Sequence, residues 1–177
     1  MQQRGAGPAS VDFIARPGRK EGVNISEKLD RRENAVRFLL LDELVRTRQP
    51  LEPAQIERAC GRLSLAVGDI IRQLDEKGAI VRDDNKAVTA VYPVSATPTR
   101  HRVLLADGRT FHAMCAIDAI GTVFTFNQDT TVESTCLHCE TAVRLRLAGG
   151  RLLDAEPRTV HVLHADLTRY RNWAADC

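Results

Sequence analysis

The chain has 177 residues, of which 44% are hydrophobic and 27% charged, a balance typical of one or two small globular domains rather than of a disordered chain. Its 25 basic and 23 acidic residues give a formal net charge of +2 without a concentrated basic region, so nucleic acid is not an expected partner. No run approaches the roughly 18 apolar residues of a membrane span and no secretory signal is visible, so we expect a cytoplasmic protein without a membrane partner.

Residues 1–30 mix glycine, proline and charge without a sustained period, which predicts a disordered tail. Residues 31–95 predict three helices, the second beginning at Pro53 and ending at Gly61 and the third running over Ser64–Lys77. The following stretch AIVRDDNKAVTAVYPV predicts two short strands about an Asp-Asp-Asn turn. Three helices and a hairpin indicate a winged helix-turn-helix-like module.

The charge of the third helix bears on what this module does. A DNA-binding role would place the helix in the major groove. Its acidic residues, Asp69, Asp75 and Glu76, outnumber its basic ones, and acidic groups repel phosphates. We therefore favour a module that packs or dimerises, with Cys60 as a small core residue.

Residues 96–177 predict a mostly antiparallel β-sheet with helices, so the fold class is α+β. A hairpin is expected at Asp107-Gly108, followed by a helix over Ala113–Thr122. TAVRLRLAG alternates as a half-exposed strand should, and RTVHVLHADL predicts another strand. A last helix is expected to start within TRYRNWAADC.

The five cysteines, an odd number without an export signal, argue against a disulfide framework and for buried, ligating or reactive thiols. Cys115 and Asp118 are three residues apart in the apolar stretch FHAMCAIDAIGTVF, so a helix would put both on one face. Spacing alone favours a buried core cysteine whose neighbouring aspartate caps or pairs elsewhere.

CLHC, from Cys136 to Cys139, has the spacing of half a zinc site. Candidates for the two further ligands are His112, Cys115, His138 and Cys177. Because no second clean pair is present, we expect at most weak zinc occupancy. A thioredoxin-like redox role is also disfavoured, because the pair follows a strand into a turn and not into a helix.

Taken together, the helical module, RTFHAMCAIDAIGTVF, VESTCLHCETAVRLRL and a cysteine near the end resemble the alkylmercury lyase (organomercurial lyase) family over residues 31–177. The separation of 62 positions from Cys115 to Cys177 (177 minus 115) agrees with that between the family's two catalytic cysteines. The resemblance implies that Cys115 and Cys177 bind mercury and that Asp118 handles the proton. Cys136 matches a cysteine that the family treats as structural.

The implied reaction is protonolysis of the carbon–mercury bond, giving a hydrocarbon and Hg(II), with no required cofactor. Mercury is soft and prefers thiolates, and a carboxyl group beside it can carry a proton from a thiol to the leaving carbon. An apolar setting suits this role of Asp118, because limited hydration disfavours a charged carboxylate. The implied partners are an organomercurial substrate, small thiols, and mercuric reductase as acceptor of Hg(II).

This sequence departs from the family pattern in two places. Cys139 is additional, so CLHC could bind metal independently. The family also continues with further strands beyond the position of Cys177, so we expect a truncated or divergent member. Two other functions stay open, namely an inactive relative that binds metal through its thiols and a winged-helix regulator that senses a thiophilic metal.

Overall fold

The computed structural model describes residues 25–61 and 66–162, and the backbone forms five helices and eight strands within these ranges. The helices are α1 (Ile25–Lys28), α2 (Arg31–Thr47), α3 (Pro53–Cys60), α4 (Val67–Glu76) and α5 (Ala116–Thr125). The strands are β1 (Ile80–Arg82), β2 (Val88–Val91), β3 (Val94–Ser95), β4 (His101–Leu105), β5 (Thr110–Ala113), β6 (Thr130–Thr135), β7 (Ala142–Ala148) and β8 (Arg151–Glu156).

The strands form a single sheet in the order β1-β2-β3-β5-β4-β6-β7-β8, and every neighbouring pair is antiparallel. The predicted α+β class is therefore confirmed. The short strand β3, which the sequence pattern did not indicate, pairs with β2 on one side and β5 on the other. The sheet thus runs without interruption across residues 95 and 96, where we had placed the boundary between two units.

The helices cover two parts of this sheet. Helix α2 packs against α3, α4, β2 and β3, and α4 also contacts β1. Helix α5 packs against β4, β5, β6 and β7. Fully buried aliphatic side chains such as Leu40, Leu44, Val91, Val94 and Val103 belong to one apolar cluster that extends under both groups of helices. None of the described helices has the length and apolar character that crossing a bilayer requires.

The segment that we had assigned to a tail differs from that prediction in its last six residues. Residues 25–30 are ordered, because Ile25 and Leu29 are buried and Asp30 caps α2. The Asp30 carboxylate accepts the Glu33 N–H at 2.8 Å, and the Glu33 carboxylate accepts the Asp30 N–H at 2.7 Å. This reciprocal capping box satisfies helix N–H groups that would otherwise lack partners. Residues 1–24 lie outside the described residues.

Several turns follow the sequence prediction. Pro53 is the first residue of α3, and Gly78, with φ +69°, follows α4. The hairpin between β4 and β5 turns at Asp107 and Gly108, and Gly108 adopts φ +87°. A positive φ is accessible to glycine at little cost because glycine has no Cβ.

The last predicted strand is wrong in position over the part that the structure describes. Gly149 and Gly150, at φ +56° and +74°, reverse the chain directly after β7, so the next strand is β8 at Arg151–Glu156. Residues 158–162, the described part of RTVHVLHADL, are not in a strand. The remainder of that stretch and the expected final helix lie outside the described residues.

Candidate active site at the start of helix α5

The backbone that leads into Cys115 is held from two sides. Strand β5 ends at Ala113, whose carbonyl oxygen accepts the Thr99 hydroxyl at 2.6 Å. The next residue, Met114, donates its N–H to the Pro93 carbonyl at 3.1 Å. These two contacts fix the point at which the chain leaves the sheet and enters α5.

Cys115 is the N-terminal cap of α5 rather than a residue on its face. Its backbone is extended, with φ −144° and ψ 178°, and its carbonyl accepts the Ala119 N–H at 2.9 Å. Its sulfur accepts the N–H of Asp118 at a distance of 3.5 Å. The helix consequently runs over Ala116–Thr125, three residues later than the predicted Ala113–Thr122, because an N-cap residue keeps an extended backbone.

Asp118 lies in the first turn of α5 with 2% of its surface exposed, whereas Cys115 is half-buried. Its helical neighbours Ala119, Thr122 and Val123 are buried as well. The structure therefore places a thiol and a buried carboxyl group in the same turn, at the end of a helix where N–H groups and the helix dipole favour negative charge. Such an end suits a soft cation held by a thiolate with a carboxyl group beside it.

Arg37 connects the helical module to this turn, a role for which the sequence pattern gave no signal. It is a charged residue within α2, yet only 2% of it is exposed, and Nη2 donates to the Tyr92 carbonyl at 2.6 Å. Burial lowers the pKa of Arg37 to about 10, so the guanidinium remains protonated at neutral pH. Tyr92 precedes Pro93, so Arg37 supports the strand connection that holds Met114. Arg37, Pro93 and Thr99 are the supporting residues that only the structure indicates.

The CLHC stretch forms the turn between β6 and β7, with Cys136 half-buried and Cys139 exposed. No group of three or more His, Cys, Asp or Glu side chains in the described ranges is arranged to hold a metal ion. His112, one candidate zinc ligand, has its Nδ1 3.2 Å from the Thr99 nitrogen and 3.0 Å from the Thr99 oxygen. Cys177, the predicted second catalytic thiol, lies outside the described residues.

Cys115 and the CLHC turn nevertheless lie at the same end of the sheet. In the ladder, Arg102 pairs with His112 and His101 pairs with Ser134, so the ends of β5 and β6 are level with the start of β4. Cys115 follows the end of β5, and Cys136 follows the end of β6. Because adjacent strands lie about 4.8 Å apart, β5 and β6 are separated by about 10 Å across β4.

Comparison with known proteins gives this turn its context. The alkylmercury lyase family model matches residues 94–177, which include Cys115, Asp118 and the CLHC turn. The resemblance to the alkylmercury lyases is confirmed. The matched region begins at β3, so α2, α3 and α4 lie outside it, although we had expected the resemblance to start at residue 31.

A solved structure, the mercury-bound form of MerB2, is similar to this chain at 22% sequence identity and a TM-score of 0.57. The likeness covers 75% of this chain and 64% of that one, so the chain spans less than two thirds of the neighbour's length. It shows that the chain shares the fold of that protein over the part that the two have in common. A search of curated proteins found no significant match.

Proposed function

We propose that the protein cleaves the carbon–mercury bond of organomercurials by protonolysis, with Cys115 and Asp118 as catalytic residues. The observation that carries this proposal is the position of the two side chains in one turn, with the Cys115 sulfur 3.5 Å from the Asp118 nitrogen and the Asp118 side chain buried. The family match over residues 94–177 supports the choice of reaction.

Each group has a distinct task in the proposed reaction. The Cys115 thiolate binds the mercury of R–Hg⁺, because a soft ion prefers sulfur to oxygen or nitrogen ligands. A second thiol, which the family resemblance assigns to Cys177, gives its proton to the Asp118 carboxylate and joins the mercury. The added thiolate weakens the carbon–mercury bond, and Asp118 delivers the proton to the leaving carbon. The products are R–H and Hg(II) held by two thiolates.

The burial of Asp118 fits this task. Buried carboxyl groups meet little water, so a proton held there is passed to the substrate rather than exchanged with solvent. Cys115, in contrast, is only half-buried. This difference in burial fits a thiol that captures mercury and a carboxyl group that handles the proton.

The helical module is part of the proposal as a winged-helix-like unit that packs against the catalytic part and does not read DNA. The charges around α4 are used in ion pairs. Arg72 pairs with Asp69 at 2.9 Å, and Lys77 pairs with the buried Glu33 at 2.6 Å. Arg82, on β1, pairs with Asp75 at 2.7 Å. These pairs leave little uncompensated positive charge for a phosphate backbone.

We also propose a cytoplasmic setting with small thiols as the first acceptors of Hg(II) and mercuric reductase as the next. The physical support is that the reaction requires reduced thiols, which the cytoplasm maintains. Exchange between protein thiolates and small thiols would then clear the site for another turnover.

The test measures organomercurial binding and hydrocarbon release separately, with excess small thiol present. In a Cys139→Ser background, which removes the exposed thiol of the CLHC turn, Cys115→Ser should abolish both, because it removes the soft ligand of the site. Asp118→Asn keeps the shape of the side chain but carries no transferable proton. Binding should therefore persist while release slows by about 10²–10⁴, the usual scale for losing a positioned acid–base group. Cys177→Ser should bind the substrate and release little hydrocarbon.

Cys60→Ala is the matched control, because Cys60 is a buried residue of α3 and should change neither measurement. Release by Asp118→Asn at the parent rate, or tight binding by Cys115→Ser in the Cys139→Ser background, would refute the assigned roles. If the parent chain itself releases no hydrocarbon but binds the organomercurial, the function is that of a metal-binding relative.

A further inference from the structure

The turn between β6 and β7 is a hydrogen-bonded loop that contains two cysteines. The Cys136 N–H donates to the Thr141 carbonyl at 2.9 Å, and the Glu140 N–H donates to the Cys136 carbonyl at 3.0 Å. Glu140 adopts φ +57°, a backbone conformation that residues other than glycine seldom take. These hydrogen bonds close residues 136–141 into a short loop that carries both Cys136 and Cys139.

The two thiols lie three residues apart on this loop. The Cys139 sulfur lies 3.2 Å from the Thr141 hydroxyl oxygen. Cys139 is exposed and Cys136 half-buried, so neither residue is enclosed in the core.

The number of ligands decides which kind of metal fits. A structural zinc site requires four ligands, and no cluster of three or more His, Cys, Asp or Glu side chains is formed in residues 25–61 and 66–162. A thiophilic ion that is satisfied by two thiolates requires only this pair. Hg(II) is such an ion, and sulfur is the ligand it prefers. The loop therefore fits Hg(II) better than zinc.

We propose that Cys136 and Cys139 form a second mercury site, in which Hg(II) replaces two thiol protons and is held as a dithiolate. The site occupies the same end of the sheet as Cys115, with β4 between the strands that precede the two thiol groups. The use of this second site as a first acceptor of the released Hg(II) rests on the proposed lyase function. The binding of Hg(II) by the loop does not rest on that function, because Cys136 and Cys139 are separate from Cys115 and Asp118.

The proposal is tested by titrating the full chain with mercuric chloride in the presence of excess glutathione. Two thiolates on one loop compete well against separate small thiols, because the second bond is intramolecular. Native mass spectrometry should find one more Hg(II) per chain in the parent than in Cys139→Ser or Cys139→Ala. His138→Ala, which changes one of the two residues between the thiols but removes no sulfur, should keep the parent stoichiometry.

The same titration in a Cys115→Ser background separates this proposal from the lyase function. In that background, hydrocarbon release from a separately added organomercurial should be lost, while the Hg(II) that depends on Cys139 should still bind in the mercuric chloride titration. Equal mercury stoichiometry for the parent and both Cys139 variants would overturn the second site, whatever the activity of Cys115. Stoichiometric zinc that is lost on Cys139→Ser would also overturn it, because the loop would then belong to a four-ligand site.

Discussion

Glu33 connects two helices, and its replacement is expected to destabilise the helical module measurably. Only 2% of the side chain is exposed, and its carboxylate accepts hydrogen bonds from the Lys77 ammonium at 2.6 and 2.7 Å. The same carboxylate accepts the Asp30 N–H at 2.7 Å in the capping box of α2. Glu33→Ala removes all three contacts, whereas Glu33→Gln keeps an oxygen that can accept from Asp30.

The two losses can be estimated separately. Losing a helix cap costs about 1 kcal/mol. Losing a hydrogen bond to a charged group costs about 1.5–3 kcal/mol. Lys77 is 38% exposed, so its ammonium group regains water and does not add the full cost of a buried, uncompensated charge. The free energy of unfolding should therefore fall by about 2.5–4 kcal/mol for Glu33→Ala and by about 1.5–3 kcal/mol for Glu33→Gln.

Urea unfolding followed by circular dichroism measures both values, provided that the slope with denaturant is unchanged. Lys77→Met is the converse variant, because it leaves the buried Glu33 carboxylate without its cation, and it should cost about 3–5 kcal/mol. A free energy of unfolding for Glu33→Ala within about 0.5 kcal/mol of the parent value would be that of a neutral surface substitution. The contact between α2 and α4 would then not stabilise the module as the structure indicates.

Three further predictions concern other parts of the molecule. Fluorescence anisotropy with duplex DNA at physiological salt should detect no sequence-selective binding with a dissociation constant of about 10⁻⁸ M, which is typical of specific DNA-binding proteins. Binding of that affinity would contradict the role assigned to α4. Iodoacetamide should alkylate Cys139 at a lower pH than Cys60, because Thr141 lowers the pKa of Cys139 and burial raises that of Cys60. Peptide mapping measures the modification of each cysteine at each pH. Equal modification of the two cysteines at every pH would contradict this prediction. Gly108→Ala should lower the unfolding free energy by about 1–2 kcal/mol because alanine is strained at φ +87°. Gly68→Ala, at an open position in α4, should instead be neutral or stabilising in the same thermal or urea melts.

Local signals account for the elements that could be predicted. Pro53, Gly78 and Gly108 each act on the backbone within one or two residues, so the helix and hairpin boundaries that they mark are found where expected. The strand β8 was missed because the turn at Gly149 and Gly150 places it in a stretch with weak alternation. Helix α5 was placed early because hydrophobic spacing does not reveal that Cys115 caps the helix with an extended backbone.

The sequence by itself determined the α+β class, the hairpin at Asp107-Gly108 and the pair of residues, Cys115 and Asp118, on which the lyase hypothesis depends. The class and the hairpin follow from residue types and short spacings, and the choice of this pair follows from the resemblance to the alkylmercury lyases, since spacing alone favoured a core cysteine. Only the tertiary structure decided that Asp118 is buried, that Arg37 supports the strand connection before the site, and that the CLHC turn shares a sheet end with Cys115. Those facts depend on the pairing of β4 with both β5 and β6 and on the packing of α2 and α5, contacts between residues far apart in the chain that local sequence patterns do not specify.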